Sequence, residues 1–271
     1  MNELPSILLV GGGKMGSALL SGWITSKVMP EKITVVEPNP SPVFLRRMKG
    51  ISLVSSPSDL PCNYSPDAII FAVKPQIIPS VVGSYTKYLC NSMAISVAAG
   101  VTIEQLEVLI GRHSIVRAMP NTPAAIGRGI TAAFSNDKVN ISQKRLCEQL
   151  LKVTGKMVWI ENESYMDAIT AVSGSGPAYV FLLIECLTKA GIAAGLPNNL
   201  SSQLAESTIA GAAELAIKTN ESPATLRENV TSPGGTTAAA LKILMNPDGM
   251  PSLLERAVAA ATARSKELAK K

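Results

Sequence analysis

The sequence is poor in the residues that build metal sites, disulfide frameworks and nucleic-acid platforms. Aromatic residues make up 4% of the chain, His113 is its only histidine, and its four cysteines contain no CxxC pair. A zinc site needs closely spaced ligands, and a disulfide framework needs regularly spaced cysteines. The net charge is +5, but the basic residues are scattered. A nucleic-acid surface has aromatic residues interleaved with its basic residues, and this sequence has no such pattern. We therefore expect no metal, no disulfide framework and no nucleic-acid partner.

Signals for export or membrane insertion are also lacking. The N-terminal apolar run is short and leads directly into glycines, without the basic start of a signal peptide. The longest apolar stretch, residues 179–196, contains Glu185 and Lys189, and it is predicted to be a buried helix rather than a membrane span. We therefore expect a cytoplasmic protein without a membrane partner.

The chain has 271 residues, 46% of them hydrophobic, which is enough for two domains with their own cores. In the first half, continuous apolar runs of the kind buried on both faces of a parallel sheet alternate with segments of helical periodicity. The runs are 7–10, 33–37, 68–73, 93–97 and 114–119, with 130–134 and 157–160 as possible extensions, and the helical segments are 15–24, 103–110 and 143–153. This alternation predicts a doubly wound α/β domain.

The second half changes character and has no strand-like run after about Glu163. Alanine-rich and leucine-rich helical stretches replace the strands, at 177–194, 200–218, 236–244 and 251–268. We therefore predict an α/β domain over residues 1–163 and an all-α domain over 164–271. Small residues lie on several faces of these helices, and two explanations stay open: a subunit interface, or compact packing within one monomer.

The clearest local motif is Gly11-Gly12-Gly13-Lys14-Met15-Gly16, which matches GxGxxG between the first predicted strand and a predicted helix. This order is typical of a Rossmann-type domain that binds a dinucleotide. Gly11 would make the tight turn, Gly13 would let the pyrophosphate approach the backbone, and Gly16 would let the helix pack closely on the strand. The motif predicts a nicotinamide dinucleotide cofactor.

The residues around this loop bear on which nicotinamide cofactor is used. Glu37 ends the second predicted strand, where an acidic residue accepts hydrogen bonds from the adenosine ribose, and this favours NADH. Arg46 and Arg47 are either partners for the 2′-phosphate of NADPH or exposed helix residues. Asn39 lies close enough in sequence to touch the ribose or its phosphate. Lys74 follows another strand and either faces the cofactor or is a solvated loop lysine.

Three further segments suit a substrate site. SGSGPAY (173–179) and SPGGTT (232–237) both lead into predicted helices. A helix start with exposed N–H and hydroxyl groups binds a carboxylate without any formal charge, although each segment is equally explained as a capped helix start. MPNTP (119–123) follows a strand and is either close to the nicotinamide ring or a rigid connector.

In order along the chain, GGGKMG, AVKPQ, AAGVT, RAMPNTPA, SGSGPAY, GLP and TSPGGTT resemble the pyrroline-5-carboxylate reductase family over nearly the whole length. TSPGGTT is the most specific of these motifs, because many dehydrogenases share GxGxxG. The resemblance implies reduction of the cyclic imine 1-pyrroline-5-carboxylate to L-proline by NAD(P)H, the last step of proline synthesis. It also implies homodimers with intertwined helical domains, which often assemble into decamers.

Carried over by position, the resemblance implies two groups of site residues. The cofactor would contact Val10, Gly11, Gly12, Gly13, Lys14, Met15, Glu37, Asn39, Ala72, Val73, Lys74, Pro75, Val97, Ala98, Ala99 and Asn229. The substrate would be held by Ser232, Gly235, Thr236 and Thr237, with Glu163 close by. The catalytic Thr237 hydroxyl would lie near the imine nitrogen, and either it or a water would deliver the proton. Relatives that prefer NADPH commonly have a small hydroxyl residue in place of Glu37, so NADPH and NADH both stay candidates.

Two other functions fit parts of the sequence. The β-hydroxyacid dehydrogenases share the layout of a Rossmann-type domain followed by helices, but they use a lysine on an interdomain helix. Here Lys189 lies more than two turns into the helix that follows SGSGPAY, too far from the glycine-rich start. A non-catalytic nucleotide sensor would keep the first domain, yet it would have no need of TSPGGTT.

Overall fold

The computed structural model describes residues 5–26 and 30–269. The strands are β1 (Ile7–Val10), β2 (Ile33–Val36), β3 (Ser52–Val54), β4 (Ala68–Phe71), β5 (Met93–Ser96), β6 (Ser114–Met119), β7 (Gly129–Ser135) and β8 (Gly155–Trp159). The helices are α1 (Lys14–Thr25), α2 (Pro42–Leu45), α3 (Ile78–Val81), α4 (Ile103–Ile110), α5 (Ile141–Lys152), α6 (Met166–Ile169), α7 (Gly176–Ala193), α8 (Asn198–Lys218), α9 (Pro223–Asn229), α10 (Thr236–Leu244) and α11 (Met250–Ala269).

The strands form one sheet in the order β3-β2-β1-β4-β5-β6-β7-β8. All neighbouring strands are parallel except β6 and β7, which are antiparallel. The five strands predicted to be parallel are confirmed, and the two possible extensions do join the sheet. The reversal at β7 was not predicted. It follows from the short connection between Met119 and Gly129, because parallel neighbours need a crossover of a dozen or more residues.

The core of this sheet has two layers, one on each face. Successive side chains of a strand point to opposite faces. Accordingly, Ile7 and Leu9 pack in one buried cluster with Trp23 of α1, whereas Leu8 and Val10 pack in another with Tyr85. All four residues of β1 are at most 2% exposed. This arrangement confirms the predicted doubly wound fold, with helices covering both faces of a mostly parallel sheet.

Both tryptophans hold elements of the first cluster together. The indole Nε1 of Trp23 donates to the carbonyl oxygen of Leu150 at 2.8 Å. The indole Nε1 of Trp159 donates to Glu148 Oε1 at 2.9 Å. Each bond ends on helix α5, so α1 and β8 are both tied to this helix. A buried indole N–H needs such a partner, and its large ring fills the space between the elements.

Two of the predicted helices begin with capping boxes. Thr102 Oγ1 accepts from the Gln105 backbone N–H, and Gln105 Oε1 accepts from the Thr102 N–H, at the start of α4. Asn140 and Gln143 make the same reciprocal pair at the start of α5. Such boxes satisfy two of the backbone donors that a helix start leaves without partners. They fix where each helix leaves the loop before it.

By its internal contacts the chain divides into two compact units. The sheet unit comprises Met1–Gly174 and Ala261–Lys271, and the helical unit comprises Ser175–Ala260. The end of α11 therefore belongs to the sheet unit. Within the helical unit, α7 and α8 approach closely where the Ser201 hydroxyl donates to the carbonyl oxygen of Thr188 at 2.7 Å. All residues of this unit are described, and only Ser201 and Ala205 among them are buried.

The prediction that residues 179–196 form a buried helix is wrong for the single chain. They form α7 and the turn after it, but Phe181 and Leu182 are each 58% exposed. The physical reason is that the helical unit lacks a second layer that covers α7. A longer helical stretch that contains α7, Glu163–Ala193, is long and apolar enough to cross a membrane by length and composition alone, which is weak evidence for a span.

Candidate active site

The sheet brings most of the predicted cofactor residues to one edge. Strands β1, β2, β4 and β5 are parallel neighbours, so the loops that leave their carboxyl ends lie side by side. Open α/β sheets bind their ligands at this edge. These loops carry Gly11, Gly12, Gly13, Lys14 and Met15 after β1, Glu37 and Asn39 after β2, Ala72, Val73, Lys74 and Pro75 after β4, and Val97, Ala98 and Ala99 after β5. Val10 is the last residue of β1.

The glycine loop fits a dinucleotide. Gly11 has a φ of 103°, and a Cβ there would lie 2.8 Å from the Ala72 carbonyl oxygen. A Cβ on Gly16 would overlap the Gly11 carbonyl oxygen, whereas a Cβ on Gly13 would meet nothing within 4 Å. Gly13 thus borders open space at the start of α1, where no side chain caps the helix. Backbone N–H groups at an uncapped helix start are well suited to a pyrophosphate.

Glu37 is tied directly to this loop. Its Oε2 accepts from the Gly12 backbone N–H at 2.6 Å, and its Oε1 accepts from the Asn39 backbone N–H at 2.9 Å. These bonds hold the carboxylate beside the glycine loop, where an adenosine ribose would lie. Arg47 donates to the hydroxyl of Ser21 at 2.9 Å, and Arg46 is exposed. The carboxylate of Glu37 is therefore the charge that backbone bonds fix in the loop.

Two residues that support the loop were not predicted. The Ser17 hydroxyl donates to the Gly12 carbonyl oxygen at 3.0 Å. The buried ring of Phe44 lies beneath Gly12, so a Cβ on that glycine would come within 2.9 Å of the ring. Ser17 stands one residue after the GxGxxG motif, which was a usable signal. Phe44 belongs to the short helix α2, which sequence periodicity did not reveal.

The remaining sheet-unit candidates lie near the same edge. Lys74 is exposed and precedes a short 3-10 turn that begins at Pro75. Asn121, in the MPNTP loop, accepts from the Ile130 N–H at 3.0 Å and donates to the Ser173 carbonyl oxygen at 3.1 Å. The loop is therefore anchored to β7 and to the SGSGPAY segment. This anchoring agrees with its interpretation as a rigid connector and leaves its place beside the nicotinamide untested.

Glu163 lies in a charged cluster of the sheet unit. Its Oε1 accepts from Arg117 at 2.8 Å and from the Ile103 backbone N–H at 3.0 Å. The Arg117 side chain is 6% exposed and that of Glu163 24%. A buried guanidinium needs such a partner, because an unpaired buried charge is costly. Sequence reasoning missed Arg117, although a charged residue inside the apolar run of β6 is an available signal.

Four of the predicted substrate residues, Ser232, Gly235, Thr236 and Thr237, lie at the start of α10 in the helical unit. Gly235 is the N-cap, and as a glycine it offers no side chain to cap the first-turn N–H groups. Gly234 has a φ of 71°, and the Gly235 N–H donates to the Ser232 carbonyl oxygen at 3.0 Å. Thr236 and Thr237 are the first two residues of the helix. This turn presents backbone donors and hydroxyls together, as a carboxylate site requires.

Asn229 and the SGSGPAY segment complete the predicted set. Asn229 ends α9, and its side-chain amide donates to Glu221 Oε2 at 2.8 Å. SGSGPAY leads into a helix, α7, as predicted, and Pro177 lies in the first turn of this helix. No group of three or more His, Cys, Asp or Glu residues in the described part of the chain is arranged to hold a metal ion.

Comparison with known proteins bears on the family. Residues 163–268 match the family model described as pyrroline-5-carboxylate reductase dimerisation, and residues 6–100 match the model described as NADP oxidoreductase, coenzyme F420-dependent. The chain is 40% identical over 267 residues to a pyrroline-5-carboxylate reductase from Synechocystis, covering 97% of this chain and 98% of the relative. The chain belongs to the pyrroline-5-carboxylate reductase family.

Solved structures of pyrroline-5-carboxylate reductases agree. The enzyme from Coxiella burnetii superimposes with a TM-score of 0.91 at 36% identity and covers 99% of this chain and 100% of its own. The enzyme from Plasmodium falciparum, solved with NADP bound, has a TM-score of 0.85 at 34% identity, with coverages of 98% and 99%. The family, the fold and the oxidoreductase class predicted from the motifs are confirmed.

Proposed function

We propose that the chain reduces 1-pyrroline-5-carboxylate to L-proline with a nicotinamide cofactor, the last step of proline synthesis. The observation that carries this proposal is the start of α10, where Ser232, Thr236 and Thr237 meet a helix start that has no capping side chain. Membership of the pyrroline-5-carboxylate reductase family supports the same substrate. A dehydrogenase that relies on Lys189 is disfavoured, because this lysine is exposed and lies well over three turns into α7.

In this mechanism the bound nicotinamide supplies a hydride, and the chain binds and orients the imine. Ser232, Gly235 and Thr236 hold the substrate carboxylate through backbone N–H groups and hydroxyls. The hydroxyl of Thr237 hydrogen-bonds the ring nitrogen, and it or a water carries the proton. A protonated imine accepts hydride readily, so orientation and exclusion of water are the main requirements. Glu163 would lie close to the substrate, with its Oε1 shared between Arg117 and Ile103.

We further propose that NADH is used in preference to NADPH. The carboxylate of Glu37 is held against the glycine loop by the Gly12 and Asn39 N–H groups, and a 2′-phosphate there would face a like charge. Accordingly, Glu37→Ser should raise the ratio of NADPH to NADH turnover by roughly tenfold to a hundredfold, the range of one hydrogen bond to a charged group. An unchanged ratio would remove Glu37 from cofactor selection.

The remaining expectations also belong to this proposal. The dinucleotide-binding domain would end at residue 163 and the substrate-binding and dimerisation domain would begin at 164, as the match of the dimerisation model from residue 163 supports. The protein would act in the cytoplasm as a homodimer that assembles further into a decamer. The exposed apolar side chains of α7 and α8 support an oligomer, because large exposed apolar patches mark interaction surfaces.

The decisive experiment follows oxidation of NADH and of NADPH by absorbance, with and without 1-pyrroline-5-carboxylate. Oxidation that depends on the imine is expected. Thr237→Ala should lower kcat by roughly tenfold to a hundredfold, the range of one hydrogen bond to a charged group, with little change in cofactor binding. Thr237→Ser, which keeps the hydroxyl, should retain most of the activity. Absence of imine-dependent oxidation with both cofactors would overturn the proposed reaction, and full activity of Thr237→Ala would overturn the role of Thr237.

A further inference from the structure

A single glutamine side chain joins the start of α4 to the C-terminal end of the described chain. Gln105 Oε1 accepts from the Thr102 backbone N–H at 2.9 Å, which is its part in the capping box. Its Nε2 donates to the carbonyl oxygen of Ala269 at 2.7 Å. A capping box needs only the acceptor oxygen and is equally well served by Glu. The amide donor therefore serves the contact with Ala269.

Two more contacts hold the last turns of α11 against the sheet unit, to which they belong. Leu268 packs against Gly100, whose φ of 77° turns the chain between β5 and α4, so that a Cβ on Gly100 would lie 3.7 Å from the Leu268 Cβ. The hydroxyl of Ser265, 5% exposed, donates to Asp167 Oδ1 at 2.6 Å. The end of α11 is thus fixed at three points along its length.

The same contacts hold the segment between β5 and α4. It begins where the Val97 N–H donates to the Phe71 carbonyl oxygen at 3.1 Å. It ends at the capping box of Thr102 and at Ile103, whose backbone N–H donates to Glu163 Oε1 at 3.0 Å. Between these points Ala99 is exposed. Because few residues separate the two anchors, we expect a shift of the start of α4 to move Ala99 as well.

The same residues border a cavity of about 840 Å³ in the sheet unit. Its lining includes Pro75 and Ala99 from the predicted cofactor loops, together with Gly100, Gln105 and Leu268 from the contact just described. The end of α11 therefore forms part of a wall that continues into the edge where the cofactor residues lie.

We propose that Gln105 is a positioning residue for the nicotinamide half of the cofactor, and that it acts through the end of α11 on residues 97–99. The inference rests on the proposed role of residues 97–99 in cofactor binding. Strand β5 is separated from β1 by β4, which places these residues about 10 Å from the glycine loop. Gln105 therefore affects the half of the dinucleotide that lies away from the adenosine end.

The test compares Gln105→Glu with Gln105→Ala. Glu keeps the acceptor for the Thr102 N–H and removes the donor to Ala269, so the helix start stays capped. The dissociation constant of NADH, measured by titration calorimetry, is expected to rise about threefold to tenfold in Gln105→Glu, the usual range for one hydrogen bond. That of ADP, which lacks the nicotinamide half, is expected to stay within about twofold. Gln105→Ala is expected to raise the dissociation constant of NADH at least as much.

A truncation that removes residues 268–271 tests the same contact from the other side. The truncation is expected to weaken NADH binding as much as Gln105→Glu does. The two changes combined are expected to weaken NADH binding no further. Glu267→Ala is the matched control, because it breaks only an exposed ion pair with Arg264 on the same helix end and should leave NADH binding unchanged.

Unchanged NADH binding in both Gln105→Glu and the truncated chain would overturn the proposal. Equal weakening of NADH and ADP would also overturn it, since that result indicates a general loss of structure. The readout is equilibrium binding and does not depend on turnover. A chain that binds NADH in this pattern but does not reduce the imine would therefore refute the proposed reaction while supporting the positioning role.

Discussion

The two units of the chain differ in how they cover apolar surface. The sheet unit buries its strands between helices of the same chain, so that Ile7 and Leu8 are fully buried on opposite faces. The helical unit buries only Ser201 and Ala205 and leaves Phe181 and Leu182 more than half exposed. One unit has a large buried core within the monomer, and the other has almost none. The predicted substrate residues at the start of α10 lie in the helical unit.

The largest expected effect comes from placing a charge on the uncovered face. Phe181→Asp should abolish self-association and lower activity by more than about tenfold, because a carboxylate buried in the proposed subunit interface loses its hydration without gaining a partner. Light scattering after size exclusion gives the oligomer size, and imine-dependent cofactor oxidation gives the activity.

Ile141→Asp is the matched control for this variant. Ile141 is 72% exposed at the start of α5 in the sheet unit, where an acidic residue suits the helix dipole. Oligomer size and activity should both stay at their original values. If Phe181→Asp also keeps the original oligomer size and activity, the exposed apolar face of α7 is not a subunit interface.

The next largest effect is expected on stability, from a substitution in the buried core of the sheet unit. Trp23 is fully buried, and its indole N–H is bonded to the Leu150 carbonyl. Trp23→Ala should lower the free energy of unfolding by about 3–5 kcal/mol through loss of packing and creation of a cavity. Trp23→Phe should cost less, because it keeps most of the ring packing. Urea unfolding followed by circular dichroism measures both, and a loss below about 1 kcal/mol for Trp23→Ala would contradict a well-packed core.

The mildest test changes no residue and measures the labelling rates of the thiols. Cys62 and Cys90 are exposed in the sheet unit and should react quickly. Burial raises the pKa of the Cys147 thiol, so its reactive thiolate is scarce at pH 8 and its labelling should be slow until the protein unfolds. Cys186, on α7, is exposed in the single chain and should be protected in the oligomer. If mass spectrometry shows that Cys186 reacts as fast as Cys62, α7 has no partner covering it.

The long elements were predictable because their periodicity is strong over many residues. Strand β6 and helices α4 and α10 have the predicted bounds. Strand β3 was missed because it has three residues, starts with the exposed Ser52 and lies at the sheet edge. Helix α9 was missed because it has only seven residues, too few to show a helical period clearly.

The candidate site was predictable at its motifs and not at its long-range contacts. The loops after β1, β4 and β5 follow from the parallel sheet, since such strands deliver their carboxyl ends to one edge. The bond from Arg117 to Glu163 spans 46 residues and that from Gln105 to Ala269 spans 164. Nothing in the local sequence pairs these residues, because their proximity depends on how complete elements pack. The exposure of α7 in the single chain was likewise not predictable, because its apolar sequence favoured a buried helix.

The positions of the two tryptophans have a consequence for spectroscopy. Trp23 and Trp159 are the only two in the chain, and both are bonded to α5 in the sheet unit. Intrinsic tryptophan fluorescence therefore reports on one unit alone, whereas far-ultraviolet circular dichroism records the helices of both. Two unfolding curves measured on one sample would coincide if the units unfold together and separate if they do not. The chain thus carries a built-in optical probe for cooperativity between its two units.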